Sequence, residues 1–298
     1  MQPTDPNDSI PLGGQTPASV LASTDVSAAS LSAAYLNSIL PAISSAYDLD
    51  VWPLLAQSGI SKEQLAQSDY LISFYQVGAF FLSVLQECRD EGVGLVVGSA
   101  VQAKSYQVLG YAIMSSQNLG EAIDRLIRYE KLVGQLGSTV FVPEGEGSTG
   151  ICKLVWQCPF DAVWVRFLKE AAIAGWVTYS LSQVQVESAE FTVHFDHAAS
   201  SIPFERYQKV FGDQIVFDSD WCGVAFDKAL LTLPFTQADP GLNAMMDHQA
   251  AVLLEMFDSK LNLVNSTREQ IASRLPSGDP ILDEVAEALS LTARVLQN

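Results

Sequence analysis

The sequence predicts an α+β fold, in which a mixed helical and β domain is followed by an all-α segment. Apolar residues recur at helical spacing in the first part of the chain and again from about residue 241 to the end. Between these regions, short strand-like runs alternate with helix-like runs, as in α+β proteins. With 298 residues, of which 48% are hydrophobic, the chain can bury a sizeable core.

The N-terminal quarter is predicted to be helical after a flexible tail. Residues 1–30 are rich in Pro, Ser, Thr, Asp and Gly and lack the periodic apolar residues that would repay ordering. Capping-box pairs predict two helix starts, at Ser61 with Gln64 and at Ser73 with Gln76. An earlier helix is predicted by apolar residues at helical spacing, namely Leu36, Ile39, Leu40, Ile43 and Tyr47.

The middle of the chain alternates between predicted helices and strands. Asn118 is the expected cap of a helix over 119–136. Strand-like runs cover 138–142, 151–157, 189–195 and 214–217, and helix-like runs cover 161–182 and 203–211. The longer of these two helices is apolar on nearly all sides, so we expect it to be the central helix of the domain.

The loop between the first two strands contains a glycine pattern, Gly145-Glu146-Gly147-Ser148-Thr149-Gly150, that matches the dinucleotide fingerprint. A pyrophosphate needs a helix start after the glycines, but a strand-like run follows here. Glu144 and Glu146 would also repel phosphate. We therefore predict a hairpin connection and no nucleotide cofactor.

From about residue 241 the chain is predicted to be helical. An amphipathic helix covers about 241–261, a linker or helix cap follows at 264–267, and three helical pieces cover 268–275, 281–289 and 292 to the end. Residues 281–292 have the layout of a helix-turn-helix, in which Val285 and Leu289 face the core. Ala286 is small where the second helix packs close, and Thr292 caps that helix. An ordinary helical hairpin fits the same pattern.

Charge and hydropathy exclude several classes of function. The chain has 34 acidic and 16 basic residues, a net charge of −18, so any contact with DNA must come from a local patch. Its apolar runs are too short or too charged to span a membrane. Residues 1–61 contain no Lys or Arg and so offer no basic region of a signal peptide, which predicts a cytoplasmic protein. The four sparse cysteines fit reduced, mostly buried thiols.

Motifs of catalysis and metal binding do not emerge from the sequence, and we predict neither an enzyme nor a cofactor or metal site. There is no nucleophile elbow, P-loop or CxxC pair. His194 and His197 flank Asp196 and could ligate a metal if a third ligand converged. On a strand, however, the two histidines point to opposite faces, which favours a strand end that leads into a polar turn.

Aromatic residues in a part of the chain with little charge predict an apolar cavity for a small molecule. We place it between the central helix, with Trp164 and Trp176, and the strands that carry Trp156 and Phe195. Tyr111 is a further candidate for its wall. Each of these residues also fits an ordinary core position. The net negative charge disfavours anionic ligands, because long-range repulsion lowers their encounter rate.

Short motifs spread over residues 31–298 occur in an order that is typical of one group of bacterial proteins. They are Gly94-Leu95 with Gly98, Leu109-Gly110-Tyr111-Ala112, Leu119-Gly120-Glu121-Ala122, Arg128-Tyr129, Val193-His194-Phe195, Tyr207, Phe211-Gly212, Leu233-Pro234, Asp239-Pro240, Glu284-Val285-Ala286, Leu289, Ser290-Leu291-Thr292, Arg294 and Leu296-Gln297. In these motifs the chain resembles the AraC/XylS family of transcription regulators, and within it the subgroup with an arabinose-binding type of N-terminal domain.

The resemblance implies a ligand-responsive regulator with two parts. A small-molecule effector would bind a sensing domain over residues 31–257, and a helix-turn-helix within 258–298 would bind promoter DNA. The residues it places at the DNA are Thr292, Arg294, Gln297 and Asn298. Such regulators commonly act as homodimers, and the contact is expected on the 241–261 helix, which carries Met245, Met246, Val252, Leu253 and Met256. The same helix could instead pack only on its own domain.

The chain departs from the family pattern at its C-terminal end. The family has two helix-turn-helix units, whereas this sequence ends inside the first recognition helix, with Asn298 where the family usually has Arg. Residues 258–298 contain four basic and six acidic side chains, although a surface that binds DNA should be basic. A sensor or dimerisation module without autonomous DNA binding is therefore the alternative.

Overall fold

A computed structural model describes residues 29–143, 150–184 and 191–297, apart from the side chains of Ser277 and Gln297. The predicted flexible tail lies outside the described residues up to residue 28. The predicted hairpin loop over 144–149 and Asn298 also lie outside them.

The chain divides into two compact units, Met1–Asp247 and His248–Asn298. The first contains helices and two sheets, and the second is helical over its described residues, which confirms the predicted α+β class. The described residues form twelve α-helices: α1 Ala33–Tyr47, α2 Val51–Gln57, α3 Lys62–Ala66, α4 Phe74–Cys88, α5 Val93–Ser99, α6 Gln107–Met114, α7 Leu119–Tyr129, α8 Val165–Gln183, α9 Phe204–Phe211, α10 Pro240–Arg274, α11 Leu282–Ala288 and α12 Ala293–Gln297.

The strands form a two-stranded and a five-stranded sheet. They are β1 Ser30–Ser32, β2 Leu71–Ser73, β3 Ser138–Val142, β4 Ile151–Gln157, β5 Phe191–His194, β6 Ile215–Val216 and β7 Gly223–Asp227. The small sheet pairs β1 with β2, and the large one has the order β3-β4-β7-β5-β6, antiparallel except for the pair β5 and β6. The predicted neighbours β3 and β4 are confirmed, with Thr139 opposite Trp156.

Three strands, β1, β2 and β7, were missed by the sequence analysis. β1 and β2 have three residues each, too few to show an alternating pattern. β7 lies between β4 and β5 and is therefore covered on both edges. It reads Gly-Val-Ala-Phe-Asp, with apolar residues in a row, so alternation could not identify it.

Local capping signals place several helix starts as predicted. The backbone N–H of Gln64 donates to Ser61 Oγ (3.2 Å), and the N–H of Ser61 donates to Gln64 Oε1 (2.8 Å). The pair Ser73 and Gln76 forms the same box at the start of α4. Asn118 Oδ1 accepts from the N–H of Glu121 (2.9 Å) and caps α7.

The predicted helix over 119–136 is wrong in its second half. α7 ends at Tyr129, and a short 3₁₀ turn follows. The backbone beyond it pairs with β1: the N–H of Ser32 donates to the carbonyl of Val133 (2.8 Å), and the N–H of Gln135 donates to the carbonyl of Ser30 (2.7 Å). Long-range pairing thus replaces the local helical bonds.

The central position of α8 is confirmed by its burial. Its first half contributes to a core cluster with α1 and α4, and its second half contributes to a cluster with the large sheet and α9. Trp164, just before α8, is fully buried and lies against Gly78, where a Cβ would come within 2.7 Å of the indole nitrogen.

The C-terminal region begins with one long helix, α10, and the two helices that follow it, α11 and α12, are much shorter. α10 has 35 residues, so the predicted linker at 264–267 is wrong. The sequence has no Gly or Pro between residues 242 and 275, and the hydroxyl of Thr267 donates to the carbonyl of Leu263 (2.8 Å), four residues back within the helix. None of the helices in the described part of the chain has the length and hydropathy needed to cross a bilayer.

Candidate functional site

A large apolar cavity lies within the first unit, between α8, the large sheet and α7. Its empty volume is about 940 Å³, including the part open to solvent. Its walls include Leu119, Ile123, Leu126, Leu154, Trp176, Val177, Leu181, Phe191, Phe226 and Leu230. No Asp, Glu, Lys, Arg or His occurs among the described residues that line it, so the space suits an uncharged, apolar group.

A second cavity of about 770 Å³ adjoins the first. Tyr106, Leu126 and Trp176 belong to the walls of both. The remaining walls come from α1, α4, α5, α6 and α8, from β1, β3 and β4, and from the segment after α7. They include Tyr35, Ile39, Phe81, Val97, Gly134, Leu136, Thr139, Trp156 and Ala171. Both cavities therefore share α8, and Trp176 lies at their common wall.

Glu130 is the charged residue on the wall of the second cavity. Its carboxylate accepts the backbone N–H of Thr139, at 2.8 Å to Oε1 and 3.0 Å to Oε2. The Thr139 hydroxyl also donates to Oε2 (2.5 Å). Burial raises the pKa of Glu130 above its ordinary value and outweighs the opposite effect of these hydrogen bonds.

Two tyrosines add hydroxyl groups without charge to the cavity walls. Tyr35 and Tyr106 stack with ring centroids 5.5 Å apart. Burial raises the pKa of Tyr35 to about 12 and that of Tyr106 well above its ordinary value, so both stay protonated near neutral pH. Gly175 on α8 makes room for Tyr106, because a Cβ there would lie 2.7 Å from the Tyr106 hydroxyl.

The predicted ligand-site residues fall into three groups. Trp176 lines both cavities, and Trp156 lines the second. Trp164 and Phe195 are fully buried in the two core clusters and line neither cavity. Tyr111 is 40% exposed and also lines neither. Aromatic density alone could not separate these groups, because cores and cavity walls have the same composition.

Three wall residues were not predicted from the sequence, namely Tyr106, Leu126 and Glu130. Glu130 lies within the stretch 119–136 that was predicted to be one helix, and it directly follows the observed end of α7 at Tyr129. Its carboxylate is held at the cavity wall by hydrogen bonds with Thr139, which lies nine residues later on β3. No pattern in the sequence carries that signal.

A second polar cluster surrounds Glu170, which is fully buried on α8. The Tyr207 hydroxyl donates to Glu170 Oε1, Arg166 Nε lies 3.9 Å from the same oxygen, and His197 Nε2 lies 3.8 Å from it. Burial raises the pKa of Glu170 to about 7 and lowers the pKa of His197. A cation and a hydroxyl thus already accompany this carboxylate.

The two histidines that suggested a metal have different surroundings. His194 stacks on Trp221 with centroids 4.2 Å apart, and its Nδ1 lies 3.2 Å from Ser219 Oγ. His197 instead packs near Phe195 and Glu170. In the described part of the chain, no three His, Cys, Asp or Glu residues are arranged to hold a metal ion.

The start of α10 is tied to α7, which lines the cavities. Arg125 Nη2 donates to Asn243 Oδ1, and Arg125 Nε lies 3.6 Å from Asp247 Oδ1. The Tyr129 hydroxyl donates to the same Asp247 oxygen (3.1 Å). A movement of α7 would therefore change the support of α10.

The C-terminal helices α11 and α12 are joined by a tight turn, with Ser290 at a φ of 58°. Val285 and Ala286 are buried. The Thr292 hydroxyl accepts from the N–H of Val295 (3.4 Å), which confirms the predicted cap. Arg294 is exposed, whereas the Gln297 side chain and Asn298 lie outside the described residues.

Comparisons with known proteins identify the family of the chain. Residues 49–235 match the family described as the arabinose-binding domain of AraC transcription regulators, N-terminal. The chain is 25% identical over 273 residues to the ornithine utilization regulator of Pseudomonas aeruginosa, covering 88% of this chain and 79% of that protein. The crystal structure of the transcriptional regulator CdpR from Pseudomonas aeruginosa matches 83% of this chain and 78% of that one, with 16% identity and a TM-score of 0.47. The chain therefore belongs to the AraC family of transcription regulators, with the arabinose-binding type of N-terminal domain.

Proposed function

We propose that this regulator senses a small molecule in the two adjoining cavities of its first unit and that the bound molecule changes how its C-terminal helices engage promoter DNA. The observation that carries the proposal is the apolar cavity beside α8, whose described lining contains no charged side chain. Sites for small molecules are commonly such concave, mostly apolar spaces with a few polar groups.

The nature of the walls argues for an effector other than a sugar. A sugar would need a hydrogen-bond partner for each hydroxyl group, since unpaired polar groups are costly to bury. The first cavity offers mainly aliphatic and aromatic side chains. Although the family is named after arabinose binding, we propose for this chain an effector with a substantial apolar part.

The route from the effector to α10 goes through α7. Three side chains of this helix line the first cavity, namely Leu119, Ile123 and Leu126. Arg125 and Tyr129, on the same helix, bind residues at the start of α10. A ligand that shifts α7 would bias α10, and α10 continues into the C-terminal unit.

Tryptophan fluorescence tests the ligand site. We expect an effector from a panel of bacterial metabolites, with ornithine included because of the relative's name, to change the emission and raise the melting temperature of the full chain. Trp176→Ala should weaken binding about tenfold or more, since Trp176 lines both cavities. Trp52→Ala is the matched control, because Trp52 is exposed and lines neither cavity. An effector whose affinity is the same in both variants would contradict the placement.

For DNA, we propose that α12 and the residues that follow it contact the promoter through Thr292, Arg294, Gln297 and Asn298. The support is the capped helix start at Thr292 and the exposed Arg294. In a gel-shift assay with the full chain, Arg294→Ala should weaken promoter binding about tenfold, as expected for loss of one base or phosphate contact. Lys228→Ala removes the same charge from the first unit and should have little effect. If the chain itself does not bind DNA, the alternative of a sensor or dimerisation module is favoured.

Binding of promoter DNA in a bacterium would place the protein in the cytoplasm.

For assembly, we propose a homodimer through α10. Met245, Val252, Met256 and Leu263 are exposed and spaced seven, four and seven residues apart, which places them on one seam of the helix. Met256→Lys should shift the sedimentation of the chain from dimer to monomer. Asn265→Lys, on the opposite side of the helix, should leave the dimer intact. A monomer at all micromolar concentrations would rule this interface out.

A further inference from the structure

The charge on the walls of the two cavities is distributed unevenly. Among the described residues that line them, Glu130 is the sole Asp, Glu, Lys, Arg or His. Tyr35 and Tyr106 are neutral there, because burial raises the pKa of each. The ligand space is therefore apolar with one acidic group.

Within the described chain, Glu130 lacks a cationic partner. Its hydrogen bonds come from the backbone and hydroxyl of Thr139, and no Lys, Arg or His of the described residues lies within ion-pair distance. A carboxylate that is withdrawn from water and not paired with a cation is unfavourable. Burial accordingly raises the pKa of Glu130, which is the usual response to a missing cation.

We infer that the effector carries a protonated amine next to an apolar body, and that the amine binds the carboxylate of Glu130 while the apolar body contacts Trp176. This inference rests on the proposed ligand-sensing function. The amine would take the free lone pairs of the carboxylate, since Thr139 is the sole described donor to it. Trp176 lies on the wall that the two cavities share, so a short chain can reach it from the acidic end.

Other effector chemistries fit the space less well. An anion would meet Glu130 without any cation on the walls to offset the repulsion. A small cation with two or three charges would pair with Glu130 but leave its other charges against apolar walls. A single amine on a hydrocarbon chain satisfies both parts of the site.

The test uses three probes of one length: hexylamine, 1-hexanol and hexanoate. Each is titrated into the full chain at pH 7.5, with binding followed by tryptophan fluorescence and calorimetry. We expect hexylamine to bind about tenfold or more tightly than hexanol, and hexanoate to bind more weakly than hexanol. Glu130→Gln keeps an acceptor for Thr139 and removes the charge, so hexylamine should weaken to about the affinity of hexanol, which itself should not change. Glu130→Asp keeps the charge and should retain part of the preference for the amine.

The outcomes separate this inference from the proposed function. Equal binding of hexanol and hexylamine, or hexylamine binding that survives Glu130→Gln, would overturn the cationic effector and leave the apolar ligand site standing. Tighter binding of hexanoate would overturn it as well. If none of the three probes binds, both the inference and the proposed cavity site fail. Circular dichroism and the melting temperature of each variant show whether a lost affinity reflects a lost fold.

Discussion

Two glutamates of the first unit, Glu170 and Glu130, are alike in chemistry and different in surroundings. Burial raises the pKa of both. Glu170 is fully enclosed, with the Tyr207 hydroxyl on one oxygen and Arg166 3.9 Å away. Glu130 lies on a cavity wall, and its described donors come from Thr139 alone.

The difference shows how to distinguish a structural carboxylate from one that is available to a ligand. The partners of Glu170 come from α8, from α9 and from the residue His197, so its role is to connect these elements. The charge of Glu130 has no such counterpart within the described chain. Removing Glu170 should therefore affect the fold, and removing Glu130 should affect the ligand.

The two carboxylates should differ most in what their removal costs in stability. Glu170→Ala leaves the Tyr207 hydroxyl without its carboxylate acceptor and opens a space in a fully enclosed site, while Arg166 keeps Glu91 at 3.2 Å; an unsatisfied buried donor and a cavity together cost about 3 kcal/mol. We expect a loss of that size in the free energy of unfolding, measured by urea denaturation at pH 5.5, where Glu170 is protonated in the folded chain. Glu130→Gln serves as the comparison and should change it by less than about 1 kcal/mol. Equal losses would show that both carboxylates are structural.

The sequence was informative about the elements and less so about the site. Capping residues such as Ser61, Ser73 and Asn118 act over three or four residues, so their helix starts could be predicted. The end of α7 and the strand β7 depend on pairing with segments far away in the chain, which no local pattern records. The same reason explains Glu130, whose place on the wall depends on Thr139 nine residues later and on α8.

The stability of the chain should also depend on pH through Glu170. Its pKa is about 7 in the folded chain, against an ordinary value of 4.5. Between these two values the unfolded chain has released the proton while the folded chain retains it, so this group lowers the stability as pH rises through the window, by up to about 3 kcal/mol. Below the window its contribution is constant, and above it the loss is complete.

The measurement is the free energy of unfolding from pH 4.5 to pH 8 for the natural chain and Glu170→Gln. The free energy of unfolding of the natural chain minus that of Glu170→Gln should fall as pH rises and level off towards pH 8, because groups that do not interact with Glu170 contribute equally to both proteins. Asp90 and Glu91 contribute with the opposite sign, but their pKa values are lowered from 3.8 and 4.5, so both titrate below this pH range. A flat difference would mean that Glu170 does not titrate in this range.

The smallest expected effect comes from the hydroxyl donors of the two glutamates. Tyr207→Phe removes the donor to Glu170 in a fully enclosed site and should cost about 2 kcal/mol, the range for hydrogen bonds to charged groups. Thr139→Val removes the hydroxyl donor to Glu130 but keeps the backbone N–H, and the cavity can supply water in its place. We expect Thr139→Val to lower the free energy of unfolding by less than about 1 kcal/mol. It should also weaken the binding of hexylamine, because the Glu130 carboxylate loses part of its fixed orientation. Urea denaturation of both variants in one buffer makes the comparison direct. A larger loss for Thr139→Val than for Tyr207→Phe would mean that the contact between Thr139 and Glu130 holds β3 in place rather than preparing a site for a ligand.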